Sequence, residues 1–387
     1  MQETYDAIVV GGGSAGLPTA LFLAGEGLKT LVIESRPSCG QGENKAAIGG
    51  VRATHSDAAK ILLCLDSLKT FSGWRESYGD DLGWKKGGYC FPVYREQDER
   101  VLTGILPLQR KFGLDIDWVG PDRIRELVPG IAPEDLRGGT FSPGDGQVSP
   151  LLASAAFHRQ ARRRGVSFRF LETCKRIEVE NGKTCGVETD RGRYAAPVVV
   201  IASGSQAREV GRMAGVEVPV IPDSHEGGIT APMEEFLGPL VVDLRPGPEG
   251  KTANFYFGQN HVGAVIFCYT PSVKFTGTDR RSTSEFMPVL ASRMTALLPR
   301  MKNALIRRVW RGCYPMTPDG VPIVGPVKAL PGLWLAAGMC GQGFMLGPGV
   351  GRNLAHWIAS GKPFIAPEAL ESLRFEREFG ASKEALK

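Results

Sequence analysis

Apolar residues in this chain are grouped in two ways. Short unbroken runs at 5–10, 30–33 and 198–202 have the character of strands buried on both faces, as in a parallel sheet. Elsewhere the apolar positions follow helical spacing. Residues 17–25 form one such segment, and Ile61, Leu62, Leu65, Leu68 and Phe71 form the core stripe of another, with Ser56 as its predicted cap. Ser149-Pro150 supplies a cap and first-turn proline for a third helix, which Arg162 to Arg164 finish and Gly165 closes. Residues 166–171 then alternate as a strand. A meander follows, 176–180 and 183–189, with turns at Asn181-Gly182 and Asp190-Arg191-Gly192.

The first strand runs into Gly11-Gly12-Gly13-Ser14-Ala15-Gly16 and then a helix, and the second strand ends at Glu34. Gly11, Gly13 and Gly16 give the G-x-G-x-x-G spacing of a dinucleotide-binding turn. Gly11 permits the tight turn, Gly13 admits a pyrophosphate to the backbone, and Gly16 allows close helix–strand packing. The helix start offers free N–H groups to phosphate. Glu34 is placed to accept from ribose hydroxyls and to repel a 2′-phosphate, which disfavours NADP. The motif alone does not separate NAD from FAD. The loop that follows, through Gly40, Gly42, Asn44, Lys45, Ala46, Ala47, Gly49 and Gly50 to Arg52, is placed to run alongside a long cofactor. The strand at 198–202 ends in Ala202, Ser203 and Gly204, small residues that let a ligand lie against the backbone.

Residues 81–144 and 216–305 lack parallel-strand runs and gain aromatics and alternation, as at 254–257 and 262–267. Two insertions building one antiparallel sheet explain this, and no internal repeat is visible. The fold class expected is α/β (α+β two-domain): a Rossmann-like nucleotide-binding domain from 1–80, 145–215 and 306–387, with an inserted antiparallel-sheet substrate domain from 81–144 and 216–305.

Composition narrows the function classes. Of 387 residues 50 are glycine, close to twice the usual share of about 7%, without a collagen period or low-complexity tract. Net charge is only +5 and the basic runs are scattered, so nucleic acid is not an expected partner. The eight cysteines contain no C-x-x-C, which argues against a metal site. In the hairpin, Cys185 is expected to face Glu178 rather than Cys174, which disfavours a disulfide. No basic segment precedes the first strand, and no apolar run reaches the roughly 18 residues of a membrane span, so a cytoplasmic location is expected.

More than 300 residues after the first glycine turn comes a second strand–glycine loop–helix unit: a strand at 332–337, the segment Gly338-Met339-Cys340-Gly341-Gln342-Gly343-Phe344-Met345-Leu346-Gly347-Pro348-Gly349, and a helix at 350–360. An NAD enzyme of ordinary layout does not need it, whereas FAD is long enough to be gripped at both ends. Loop amides and a helix start can face the part of a flavin where negative charge gathers on reduction.

Together, G-G-G-S-A-G with Glu34, M-T-P-D-G-V-P-I-V-G at 316–325 and G-M-C-G-Q-G-F-M-L-G-P at 338–348 resemble the D-amino-acid-oxidase-type FAD-dependent oxidoreductases, in the glycine and sarcosine oxidase branch. Gly49-Gly50-Val51-Arg52 leans toward the sarcosine oxidase β subunits. The resemblance implies FAD, a ring held between two domains, and hydride transfer from a small amino acid or N-methyl amino acid. It assigns Gly11, Gly13, Ser14, Ala15, Gly16, Glu34, Ser35, Arg36, Ala202, Ser203 and Gly204 to the ADP half, and Cys174 and Lys175 to the adenine. Gly343, Phe344, Met345 and Leu346 fall to the flavin carbonyl, and Asn44, Lys45, Ala46, Ala47, Gly49, Gly312 and Gly338 are counted as further cofactor-binding residues.

Two departures from the family pattern matter. Cys313 lies one residue off the position where some relatives attach FAD covalently. Oxidase relatives place a lysine on a substrate-domain strand facing the flavin; 261–267 has none, with Val265 near the expected place, which favours a dehydrogenase over an oxidase. No histidine near Ser149-Pro150 matches the one that tethers FMN in β subunits. For catalysis Arg52 is the candidate carboxylate clamp, because its planar fork suits that group, with Tyr256 and Tyr314 as candidate pocket walls. His225 and His261, single histidines in strands, read as structural. Three readings stay open: an amine or amino-acid dehydrogenase, a flavin-binding subunit active only with partner subunits or an electron acceptor, and a 2-hydroxy-acid oxidoreductase.

Overall fold

The computed structural model describes residues 3–247 and 250–380. Among these residues the strands form two large sheets and two small ones. The first large sheet has six strands in the order Ile323–Pro326, Leu333–Ala337, Val198–Ile201, Ala7–Val10, Thr30–Glu34 and Ser167–Phe170. All its pairings are parallel except that of Ile323–Pro326 with Leu333–Ala337. The unbroken apolar runs follow from this, since both faces are covered. Helices Gly16–Gly25, Ala58–Ser72, Pro150–Arg163 and Gly343–Ser360 pack one face through Leu21, Leu63, Phe157, Val350 and Leu354. The other face packs on the meander and the helix Ala207–Arg212, through Ile177, Val187, Tyr194 and Val210.

The second large sheet has eight strands: Ile306–Met316, Ile221–Pro232, Ala264–Pro271, Thr252–Gln259, Leu240–Asp243, Tyr89–Val93, Gly138–Ser142 and Asp117–Val119. Both insertions contribute to it. Its pairings are antiparallel except where Leu240–Asp243 meets Tyr89–Val93, the junction of the two insertions. Residues 306–316, assigned from sequence to the nucleotide-binding part, join this sheet instead. The strand Ile306–Met316 pairs along Ile221–Pro232 from Ile306↔Thr230 to Met316↔Ile221. Gly312 and Pro315 break the alternation that would have marked it as a strand.

Three local expectations are corrected. The N-cap of Ala58–Ser72 is Asp57, whose side chain accepts from Lys60 N, rather than Ser56. Gly186, not Cys185, lies opposite Glu178, because a bulge shifts the register there; Cys174 still pairs with Thr189, and all eight cysteines are free. The last long helix begins at Gly343, seven residues before the expected start. Gly347-Pro348-Gly349 reads as a helix breaker, but here the glycines are a packing requirement. A Cβ on Gly347 would lie 1.9 Å from Ser14 O, and one on Gly349 2.0 Å from Leu63 O. The helix is held because its backbone rests on the glycine turn before the first helix and on the backbone of Ala58–Ser72.

Overpacking by a single methyl at such a contact forces backbone movement. Gly347→Ala is therefore expected to destabilise the chain by about 1–3 kcal/mol or more. Gly104→Ala, in the helix Glu96–Lys111 with no atom within 4 Å of the new methyl, should be stabilising by up to about 1 kcal/mol. Thermal unfolding of the two variants checks the contrast.

Candidate active site

The first glycine turn is built as its spacing demands. Gly11 has φ +109, and a Cβ there would lie 2.6 Å from Ala202 O. A Cβ on Gly16 would lie 1.9 Å from Gly11 O, so Gly16 sets the helix against the strand. Gly13 has nothing within 4 Å and faces open space. Glu34 is buried, and each of its oxygens accepts from a backbone N–H at 2.9 Å, Oε2 from Gly12 and Oε1 from Arg36. It thus braces the turn, and the second lone pairs of the same oxygens remain for a ribose.

That turn borders a cavity of about 710 Å³ that reaches from Glu34, Glu172 and Cys174 to the eight-stranded sheet. Its volume lies in the range of small-molecule sites. The loop after Cys39 forms one side. Asn44 ties that loop down by donating through Nδ2 to Pro150 O and Ser154 Oγ, and Trp310 Nε1 donates to Ala46 O. Gly338 and the helix start at Gly343, Phe344 and Met345 form another side. The first N–H groups of that helix have no intrahelical acceptor. Buried polar atoms without a hydrogen-bond partner stand at the cavity wall: Asn44 Oδ1, Ser203 Oγ, Ser205 Oγ, His225 Nδ1 and Gln342 Oε1. A cleft with a backbone cradle at Gly13, a bracing acid, a helix start and such unpaired atoms suits a long dinucleotide.

Most residues selected from sequence border this cavity, including Ser14, Ala15, Ser35, Arg36, Ala47, Gly49, Gly204, Gly312, Arg52 and Tyr256. Four do not. Gly16 lies behind Gly11, as its packing role requires. The side chains of Lys45 and Lys175 are exposed, and Leu346 is 1% exposed, turned into the helix-covered core. Val265 is also turned away, buried in the core of the large sheet with Phe255 and Phe267, while Cys268 and Thr270 of the same strand border the cavity. Lys274 is the only lysine at the wall among the described residues.

The sheet end of the cavity is aromatic and partly charged. Arg52 is buried, its guanidinium 5.9 and 5.6 Å from the rings of Tyr89 and Phe91, with NH1 3.5 Å from His55 Nδ1. Nearby, burial pushes the Asp145 carboxyl up to about 6, although Ala53 N, Thr54 Oγ1 and the Arg52 charge favour its ionised form. The hydroxyls of Tyr256 and Tyr314 share a hydrogen bond of 2.6 Å. Burial holds both phenols above their ordinary range, so they act as neutral groups. The Tyr314 ring stacks on His225 at 4.0 Å, and His225 Nε2 lies 3.3 Å from Asp223 Oδ2. Burial would raise the Asp223 carboxyl, but the His225 contact and Phe275 N outweigh it and hold the group low.

The sequence reading left out Glu43, Glu172, Asp223 and Gln342, and took His225 as structural. The one available signal was the i, i+2 spacing of Asp223 and His225, which puts both on one face of a strand. Cys313 borders the cavity, but its Sγ packs 3.7 Å from both Ser224 Oγ and Gly277 O, and burial raises its thiol.

Residues 6–357 match the model of one family, described as DAO, FAD dependent oxidoreductase. The chain belongs to that family. Human mitochondrial dimethylglycine dehydrogenase is 26% identical over 386 residues, covering 94% of this chain but 43% of the relative. The chain thus spans less than half the length of that protein. Sarcosine oxidase subunit beta from Rhizobium meliloti is 26% identical, with 97% of this chain and 89% of the relative covered. The crystal structure of L-proline dehydrogenase from P. horikoshii superposes with a TM-score of 0.90 at 29% identity, covering 97% of this chain and 99% of that one. FAD is the cofactor of the family, and the cavity fits it. The resting place of Cys313 Sγ leads to a test: acid precipitation is expected to release all the flavin from both the parent chain and Cys313→Ala. Yellow colour retained in the parent pellet and lost from the variant would overturn this.

Proposed function

We propose that this FAD-dependent oxidoreductase oxidises a small amino acid or N-methyl amino acid of the sarcosine, glycine or proline type, as a dehydrogenase rather than an oxidase. The observation that carries the reading is the buried guanidinium of Arg52, set in the wall of the same cavity as the Tyr256–Tyr314 pair and His225. FAD, when bound, supplies the hydride acceptor. Arg52 grips the substrate carboxylate, and fixing that group orients the α-carbon. Tyr256 and Tyr314, joined hydroxyl to hydroxyl, wall the pocket and exclude water. His225, whose Nδ1 has no hydrogen-bond partner and whose Nε2 is held by Asp223 Oδ2, is the group placed to take the ammonium proton. The names of the dimethylglycine, sarcosine and proline relatives support the substrate class. The dehydrogenase preference draws on the wall having, among the described residues, Lys274 as its only lysine, on an exposed loop.

Two further features bear on how the chain works in the cell. Eight free cysteines support a reducing, cytoplasmic setting, and no helix among the described residues is long and apolar enough to cross a membrane. The likeness to a β subunit supports a role with partner subunits or a separate electron acceptor.

Anaerobic bleaching of the flavin by N-methyl amino acids, proline or glycine, with slow reoxidation in air, is the expected result. Bleaching by 2-hydroxy acids alone would sink the substrate assignment, and no bleaching by the isolated chain would move the activity to a complex. Arg52→Ala should keep its flavin and raise KM by about thirty-fold or more, since truncating a buried charged partner costs roughly 2–5 kcal/mol. An unchanged KM would remove Arg52 from the clamp. His225→Gln should lower kcat/KM by about a hundred-fold near neutrality. The deficit should shrink at high pH, where the amine loses its proton unaided; a loss equal at every pH would exclude His225 as the proton acceptor.

A further inference from the structure

Near the end of the described chain, Arg377 makes five hydrogen bonds with a side chain only 9% exposed. Nε and NH2 donate to the two oxygens of Asp319 at 2.8 and 3.0 Å, and NH2 also donates to Val321 O at 2.7 Å. NH1 donates to Pro322 O at 3.0 Å and Arg374 O at 2.9 Å. A buried fork satisfied on every side has one geometry, and here it clamps the 3₁₀ turn Ala369–Leu373 and the chain after it onto the loop that follows Ile306–Met316.

Asp319 passes that geometry toward the cavity. Its Oδ1 accepts from Thr317 Oγ1 at 2.9 Å and Val321 N at 3.0 Å. Thr317 in turn meets Cys340, with N 3.5 Å and Oγ1 3.3 Å from Sγ. Cys340 N donates to Pro315 O at 3.1 Å. The turn so held is strained: Gly338, Cys340 and Gly341 have φ of +62, +50 and +82, and Cys340 is not a glycine. A non-glycine residue in the left-handed region persists only where its surroundings impose it. Residues 338–343 border the cavity and lead directly into the helix Gly343–Ser360.

We propose that Arg377 is a positioning residue for the bound FAD: by holding Asp319 it fixes Thr317 against Cys340, and so sets the turn 338–342 and the helix start behind it. Arg377 does not border the cavity and acts only through this chain of contacts. The proposal rests on the assignment of this wall to the flavin end of the cofactor.

Titration of the apoproteins with FAD, followed by fluorescence, and the midpoint potential of the bound flavin provide the test. Arg377→Ala is expected to weaken FAD binding roughly ten-fold, the scale of a lost hydrogen-bonded charge. It should also lower the potential, as the helix-start amides relax away from the charge of the reduced ring. Arg377→Lys should not restore either value, because an ammonium has no fork. Thr317→Val leaves the Asp319–Arg377 pair in place but removes the hydroxyl that joins Asp319 to Cys340, and it should shift both values in the same direction even if Arg377→Ala is too unstable to purify. Affinity and potential equal to those of the parent in either folded variant would overturn the proposal. A parent chain that takes up no FAD would overturn the cofactor site, and the proposal with it.

Discussion

Two helix starts that touch backbone to backbone hold this molecule's site together. The Gly343–Ser360 helix lies so close to the first glycine turn that a methyl on Gly347 would fall 1.9 Å from Ser14 O. Neither element could approach so closely with a side chain between them. The contact brings residues more than 300 positions apart to the wall of one cavity, and it aligns two helix N-termini there. Each start has amides without intrahelical partners and a positive dipole end, so the cavity is favourable to anionic groups at two separate points. A dinucleotide carries such groups at its pyrophosphate and, once reduced, at its redox ring.

The eight-stranded sheet completes what those two turns cannot supply. Its edge strand, Ile306–Met316, runs from that sheet into the loop that supports the turn at 338–342, so one continuous strand links the sheet to the second glycine turn. Glu43 reinforces the same junction, since Oε2 accepts from Cys313 N at 2.7 Å and Oε1 pairs with Arg280. The eight-stranded sheet is therefore tied to the glycine-rich loops of the other sheet. A reaction that depends on how one carbon faces a flavin benefits from such a joint, because orientation is most of what the protein contributes.

Much of this was legible in the residues. The parallel strands, the meander, the first glycine turn and the existence of a second sheet all follow from local period and turn chemistry. The misses share one cause. Gly347-Pro348-Gly349 has poor helix propensity, yet it is helical because its neighbours require bare backbone there. Residues 306–316 lack clean alternation, yet they form a long strand because Ile221–Pro232 offers a partner along their length. Val265 and Cys268 were not distinguishable by composition, and only the faces of the sheet divide them between core and cavity.

The sequence by itself determined the chemistry that depends on spacing within one segment: the backbone cradle at Gly11, Gly13 and Gly16, the acid at the end of the second strand, and the second glycine-rich unit near the other end. Those are short-range facts, set by φ, hydrogen-bond geometry and the period of each element. Only the tertiary structure decided which distant groups meet. His225 gains significance from Asp223 beside it and Tyr314 stacked on it, and Arg377 from the loop on which it closes. Such pairings depend on how sheets and helices pack, and packing depends on contacts between residues that no local pattern relates.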